Sequence, residues 1–367
     1  LIGQKTTGAS MKMIKVVFWV LFLIAFSFAQ TAGERIETNL DSLQQQHQYL
    51  KHRIDMLEKA IDDLLWYDKL GDAAFIDKVF LTGPPLAKEK NPTALGAGNP
   101  VKFWSYIFIP KSIDQNKKYP LIVFPHGGVH ANFSTYYTHI IRELLAQEYV
   151  VVAPEYRGST GYGQTFYEKI DYGGLEVEDV KASRDFVLDN YEFVDEHRVG
   201  IFGWSHGGLI ALLSIYDFPK DYQVAFVGVP VSDLVARMGY YDDEYRDLFS
   251  ADYHLGQTAN ENVGEYKKRS PAWNAEKLQT PLLIHTNTND EDVNVLEVEH
   301  LIQALKAEGK KFEYEIFQAL PGGHSFDRLD TKKAKEIRLK IYRFLDEYLH
   351  PPKLLRTVSD INKAAYR

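Results

Sequence analysis

From about Asp77 to His350 the chain repeats one pattern: a short apolar run ending in glycine or a polar turn, then a segment of helical period. The runs are "YPLIVFPHGG", "YVVVAPEYRG", "RVGIFGWSHGG", "VAFVGVPVSD", "TPLLIHTNTND" and "FEYEIF". Between them lie helical stretches. Ser134–Gln147 carries Ile140, Ile141, Leu144 and Leu145 on one face, and Leu175–Leu188 follows. Val295–Glu308 stops at Gly309, and Ala334, Ile337, Ile341, Phe344, Leu345 and Tyr348 mark the last helix. Strands that are apolar on both sides need cover on both sides, which crossover helices supply. The expectation is an α/β fold: a mostly parallel central sheet, helices on both faces, and reactive loops at the carboxyl ends of the strands. "DKVFLTG" and "VKFWSYIFIP" add two strand-like segments ahead of it, separated by the Pro/Gly-rich stretch 83–100. No internal repeat of roughly 40–50 residues is present, which argues against a propeller.

Composition narrows the chemistry. The 367 residues are 45% hydrophobic and 25% charged, enough apolar material for a full core. There is no cysteine, which rules out disulfides, thiolate metal sites and a cysteine nucleophile. The net charge is −8 and no long basic run occurs, so a nucleic-acid partner is not expected.

The N-terminal part reads differently. Met11-Lys12-Met13-Ile14-Lys15 is a basic start, and "VVFWVLFLIAFSF" (16–28) is an unbroken apolar run. Ser27-Phe28-Ala29 offers a small-x-small cleavage site. At about 13 residues the run is short for a spanning helix, which needs roughly 20. Residues 11–29 are therefore expected to be a signal peptide, cleaved after Ala29. That predicts a secreted or periplasmic protein with no stable membrane span once the signal is removed; an uncleaved anchor is the alternative. Residues 1–10 precede the first Met and read as an upstream remnant outside the fold.

Residues 30–76 form an N-terminal helical segment, with one helix expected over 34–66. Leu43, Leu50, Leu57 and Leu64 recur every seven residues, and Leu40, His47, Ile54 and Ile61 fill the second heptad position. Ile at one core position with Leu at the other resembles a two-stranded coiled-coil seam. Two readings stay open: the helix simply packs on the neighbouring domain, or it makes a homodimer through the 40–64 helix. His47 as a metal ligand is the weaker idea. The catalytic domain is placed at 77–350 and a C-terminal tail at 351–367.

The chemistry centres on Gly203-Trp204-Ser205-His206-Gly207, a G-x-S-x-G motif between a strand and a helix. There the serine is a nucleophile on a strained turn, and its glycines give clearance. The backbone N–H of His206, at a helix start, can hold an oxyanion. A serine needs a base and the base an orienting acid. In α/β-hydrolases the chain order is Ser, acid, His. Downstream, "NTNDEDV" offers Asp290, Glu291 and Asp292 after an apolar strand, and "PGGHSF" places His324 in a glycine-rich loop. His254, His285, His300 and His350 also follow the serine; His285 reads as a packed strand residue, His300 lies on a helix and His350 near the tail. A calcium loop at "NTNDED" is a poor fit, because the glycine of a sharp EF-hand turn is missing.

Four blocks, "FPHGG" (124–128), "PEYRGSTGYG" (154–163), "GWSHGG" (203–208) and the pair "NDEDV" with "GGHSF", together resemble the prolyl oligopeptidase family of serine peptidases. They span nearly all of 120–350 in family order. The resemblance implies the α/β-hydrolase fold. It selects Asp290, three residues before Val293, as the acid, with Asp292 the fallback. Gly127 or Gly128 would complete the oxyanion hole with His206, since Phe124 stands where several members use a tyrosine hydroxyl. His126 is either part of that loop's structure or functional. Arg157 and Glu155 form a buried ion pair or touch substrate. Val231, Leu234 and Tyr241 line an apolar pocket for the residue before the scissile bond, or are plain packing. Larger members carry an N-terminal β-propeller; the stretch between the signal and this core is too short to build one, so none is expected here. Dipeptidyl-peptidase behaviour and proline preference do not carry over.

The expected function is an exported serine hydrolase acting on a peptide or ester substrate. Ser205 is the nucleophile, His324 the base and Asp290 its orienting acid, with no cofactor and no metal. A carboxylesterase is the runner-up, and a binding or assembly protein on a dead hydrolase scaffold the alternative from another class. A histidine base works in its neutral form, so activity is expected to rise through roughly pH 6.5.

Overall fold

A computed structural model of the chain describes residues 7–89 and 91–366, with the side chains of 7–12, 14, 28, 29 and 31–34 left aside. Residues 1–6 of the expected remnant lie outside the described residues. Two compact units divide the chain, Leu1–Ile54 and Asp55–Arg367. The first is helical throughout its described length. Its helix belongs to one element, Thr7–Leu70, longer than the 34–66 expected and continuous through the apolar run 16–28. Among the described residues no helix is long and apolar enough to cross a membrane.

The second unit is built on eight strands: β1 (Ala74–Thr82), β2 (Lys102–Pro110), β3 (Tyr119–Val123), β4 (Val150–Glu155), β5 (Val194–Trp204), β6 (Val224–Gly228), β7 (Leu282–Asn287) and β8 (Glu313–Phe317). Their spatial order is β1-β2-β4-β3-β5-β6-β7-β8. β2 pairs antiparallel with both β1 and β4, and the remaining pairs are parallel. The parallel part follows from the sequence. Side chains alternate faces along a strand, and here both faces are apolar. Leu121, Val123, Val150, Val152, Val199 and Ile201 pack on one side with Val180, Leu209 and Leu301. Ile122, Val151, Ala153, Phe202 and Trp204 pack on the other with Ile141, Ile337 and Leu345. Helices Glu176–Asn190, His206–Asp217 and Val295–Ala307 therefore cover one face, and Thr138–Ala146 with Lys332–Leu349 cover the other.

Two boundaries move. The stretch 351–367, expected as a tail, forms the helix Val358–Ala365, opened by a Thr357–Asp360 capping box. Its Ile361 is buried in the core, so it belongs to the body. Between β6 and β7 three short helices, Leu234–Tyr240, Asp243–Ser250 and Val263–Lys268, stand where the sequence reading had no element.

Within the second unit, the end of the long helix docks through Lys59, Trp66 and Leu70, all buried, while Leu57, Ile61 and Leu64 of the heptad stripe are exposed. Within this unit the end of the helix does pack on the sheet body, as one of the two readings had it, though not through the heptad stripe. The helix uses a different face, because Trp66 stacks on Phe133 and Lys59 meets the buried Glu155.

Burial also sets an acid limit on the fold. His126, His254 and His285 are each depressed by burial to about 3, against about 6.5 for a free imidazole. The unfolded chain binds protons that the folded chain refuses, so stability falls as pH drops from about 6.5 toward 3. His285 is the clean test, because its Nδ1 is buried with no hydrogen-bond partner among the described residues. His285→Leu is expected to shrink the loss of urea midpoint between pH 7 and pH 4.5. Equal losses in variant and wild type would reject this cause.

Candidate active site

The turn between β5 and the helix His206–Asp217 holds Ser205 at φ 58°, ψ −123°. A non-glycine residue there is strained, and such strain collects at functional sites. The glycines around it are steric necessities. A Cβ on Gly203 would lie 2.5 Å from the Gly207 carbonyl oxygen, and one on Gly207 would lie 2.3 Å from that of Pro125. Strand, turn and helix close on each other only without those side chains. The N–H of Ser205 donates to Gly228 of β6 (3.0 Å), and the N–H of Val231 donates back to the Ser205 carbonyl (3.2 Å).

Asp290 follows β7 and His324 follows β8, at the same end of the sheet as Ser205. His324 Nδ1 lies 2.8 and 2.9 Å from the two carboxylate oxygens of Asp290. A carboxylate only accepts, so Nδ1 carries the proton and Nε2 is left as the acceptor. The Asp290 side chain is fully buried and that of His324 is 15% exposed. Asp290 Oδ1 also accepts the N–H groups of Asp292 (2.8 Å) and Val293 (2.9 Å). That turn gives the spacing to Val293 its physical meaning: the acid is held by the backbone that follows it. Asp292 goes elsewhere, to Arg237 (2.9 Å) and the Tyr241 hydroxyl. Its Oδ2 is 3.8 Å from His324 Nε2. Burial raises its pKa, but His324, Tyr241 and Arg237 outweigh that and hold it below the usual carboxylate range.

The serine turn and the histidine loop are tied together. Trp204 Nε1 donates to Asp327 Oδ2 at 2.8 Å, joining the residue before Ser205 to one three positions after His324. Arg328 lies over the Trp204 ring and donates to the His324 carbonyl. Asn287, ending β7, donates to the carbonyls of Leu320 (3.0 Å) and Gly323 (3.2 Å).

On the other side, Gly127 sits against the serine; a Cβ there would be 3.4 Å from that of Ser205. His206 Nδ1 is 3.2 Å from the Gly128 carbonyl, and its Nε2 is 2.7 Å from the buried Glu176. His126, at about 3, is a neutral loop residue held by Ser159 (2.9 Å) and stacked on Tyr156.

Of the residues read as either structural or substrate-touching, four are buried. Arg157 and Glu155 are both fully buried, and they do not pair with each other. Arg157 makes two 2.8 Å bonds to Asp179. Glu155 lies 2.8 Å from Lys59 Nζ and accepts the Phe133 N–H at 3.1 Å. Burial pushes Glu155 above the usual carboxylate range, and Lys59 opposes that. Val231 and Leu234 are buried in the core and offer no surface. Tyr241 is half-buried beside Asp292. Lys59, Glu176, Arg237, Asp327 and Arg328 carry no signal in the sequence; each is an ordinary polar residue, and each touches an element distant in the chain.

The profile of the Prolyl oligopeptidase family matches residues 135–351. The chain belongs to this family. Its relatives include an uncharacterized peptidase, YuxL, of Bacillus subtilis, 30% identical over 247 residues, which are 66% of this chain and 37% of the relative. The acylamino-acid-releasing enzyme of Sus scrofa is 28% identical over 210 residues, 56% of this chain and 29% of that one. The chain thus spans about a third of the length of these family members. Among solved structures, the acylaminoacyl peptidase of Pyrococcus horikoshii superposes with a TM-score of 0.62 at 21% identity, covering 81% of this chain and 45% of the other. A puromycin-hydrolyzing peptidase of Mycobacterium tuberculosis gives 0.60 at 24%, covering 75% and 39%. At that identity they speak for the family's α/β-hydrolase fold alone.

Proposed function

We propose that the chain is a serine peptidase working through Ser205, His324 and Asp290. The observation that carries this is the pair of short contacts from His324 Nδ1 to the buried Asp290, on a loop bonded to the strained serine turn. His324 Nε2 takes the proton as Ser205 Oγ attacks the substrate carbonyl. The N–H of His206 and that of Gly127 or Gly128 receive the oxyanion. The protonated His324 then gives its proton to the leaving amine, and water repeats the sequence on the acyl-enzyme. Asp290 holds the imidazole in the working tautomer and stabilises its charged form.

Membership of a peptidase family favours amides over esters, but the same groups serve a carboxylesterase. A matched panel of N-acyl peptide amides and aryl esters decides between them. Peptidase action predicts measurable amide turnover with the serine acylation step intact. Ester turnover with no detectable amide cleavage would overturn it. Export belongs to the same proposal: the protein secreted by a bacterial host should begin at Gln30, and an N-terminus that retains 16–28 would count against a cleaved signal.

A further inference from the structure

The heptad stripe of the long helix has a geometry that the catalytic reading does not use. With Leu40, His47, Ile54 and Ile61 at position a and Leu43, Leu50, Leu57 and Leu64 at d, Lys59 and Trp66 fall at f, Asp62 at b, and Asp63 and Leu70 at c. Those b, c and f residues hold the helix end to the sheet body. Asp62 accepts from Thr135 N (3.0 Å) and Oγ1 (2.6 Å), Asp63 from the Tyr106 hydroxyl, and Trp66 and Leu70 are fully buried. The a and d positions face the other way: Leu57, Ile61 and Leu64 are 61%, 58% and 72% exposed. The body thus occupies the face that a coiled coil leaves outward and frees the face that it buries.

We infer that the chain forms a parallel, in-register homodimer through residues 40–64, a two-stranded coiled coil whose occupant is a second copy. The flanking e and g positions from 44 to 60 carry Gln44, Gln46, Lys51, Arg53, Glu58 and Ala60, so the leucine stripe has the narrow width of a coiled-coil seam and not that of a helix lying broadside on a sheet or a membrane. Ile at a with Leu at d favours two parallel strands. The flanking charges agree. Arg53 at g faces Glu58 of the partner subunit at the following e, and both are exposed. His47, the one polar a residue, meets its own copy only in this register, and a polar a residue specifies register. The segment spans about 37 Å at 1.5 Å per residue, and cleavage after Ala29 leaves it whole. The inference is independent of the catalytic proposal.

Light scattering on the full chain at tens of micromolar should give the mass of two chains. Leu57→Lys with Leu64→Lys, both at exposed positions, should halve it while helicity and hydrolysis persist. The chain has no cysteine, so Leu50→Cys is an unambiguous reporter. Facing d residues are close enough for a disulfide, and oxidation should cross-link the variant. A one-chain mass in the wild type overturns the dimer. A two-chain mass that survives the double lysine change places the interface elsewhere, and a dimer that fails to cross-link at position 50 overturns the parallel register. A one-chain species that binds phosphatidylcholine vesicles through the same leucines assigns the stripe to a membrane instead.

Discussion

Ser205→Ala is expected to lower kcat on the order of 10⁶-fold, the loss seen when a triad nucleophile is removed. The size follows from the division of labour. His324 and Asp290 have one proton to move, and without the Ser205 hydroxyl that proton has no donor. The oxyanion groups remain, so the residue of activity is what binding and electrostatics supply alone. The fold should be untouched. The Ser205 side chain caps nothing at the start of its helix, and alanine keeps the Cβ that already fits at φ 58°. Two measurements check it: turnover of the better substrate class, and labelling by a fluorophosphonate. Wild-type protein that fails to label, or a variant that labels equally, sinks the assignment of the nucleophile. An unchanged urea midpoint separates lost chemistry from lost structure.

Lys59→Met should be the most destabilising single change in the N-terminal segment. Lys59 is buried, donates to the Phe133 carbonyl at 2.7 Å, and stands 2.8 Å from a carboxylate with no exposure. Removing one member of a buried pair leaves the other charge uncompensated and costs about 3–5 kcal/mol. The double change Lys59→Met with Glu155→Gln should recover a large part of that, because the stranded charge is gone. Urea unfolding of the four proteins in the cycle measures the coupling. If Lys59→Met alone is as stable as wild type, the pair is not what holds the helix end in place. Activity should fall with stability, since Glu155 holds the N–H of Phe133, a few residues beyond Gly127 and Gly128 in the same loop.

The contrast between these residues shows what a sequence makes legible. Ser205, Asp290 and His324 stand out as candidates in the sequence because each is set in a local pattern. Gly203 is demanded by backbone approach to Gly207, four residues on, Asp290 is held by the turn to Val293, and His324 lies in the loop after a strand. The strands were legible because both faces are apolar, which is visible in a run such as "YVVVAPE". The link from Trp204 to Asp327 crosses 123 residues, and nothing in the composition of either end announces the other. "PEYRGSTGYG" illustrates the middle case. Its Gly161, at φ +87°, would put a Cβ 2.6 Å from that of Lys59. The motif was recognisable, but its reason lies on a helix about a hundred residues earlier. Arg157 and Glu155 went wrong for the same cause: two neighbouring opposite charges invite pairing, while each had a better partner on a different element.

The placement of Lys59 and Trp66 makes the last turns of the long helix part of the sheet body. A protease that cuts ahead of Asp55 takes the upstream part and leaves Lys59, Asp62, Asp63 and Trp66 attached to the sheet. A cut at the turn after Leu70 leaves those residues held only by contacts, free to dissociate and expose Glu155 without its cation. Limited digestion at that turn is therefore expected to inactivate the chain, whereas a cut a few turns earlier on the same helix keeps the Lys59–Glu155 contact covalently in place.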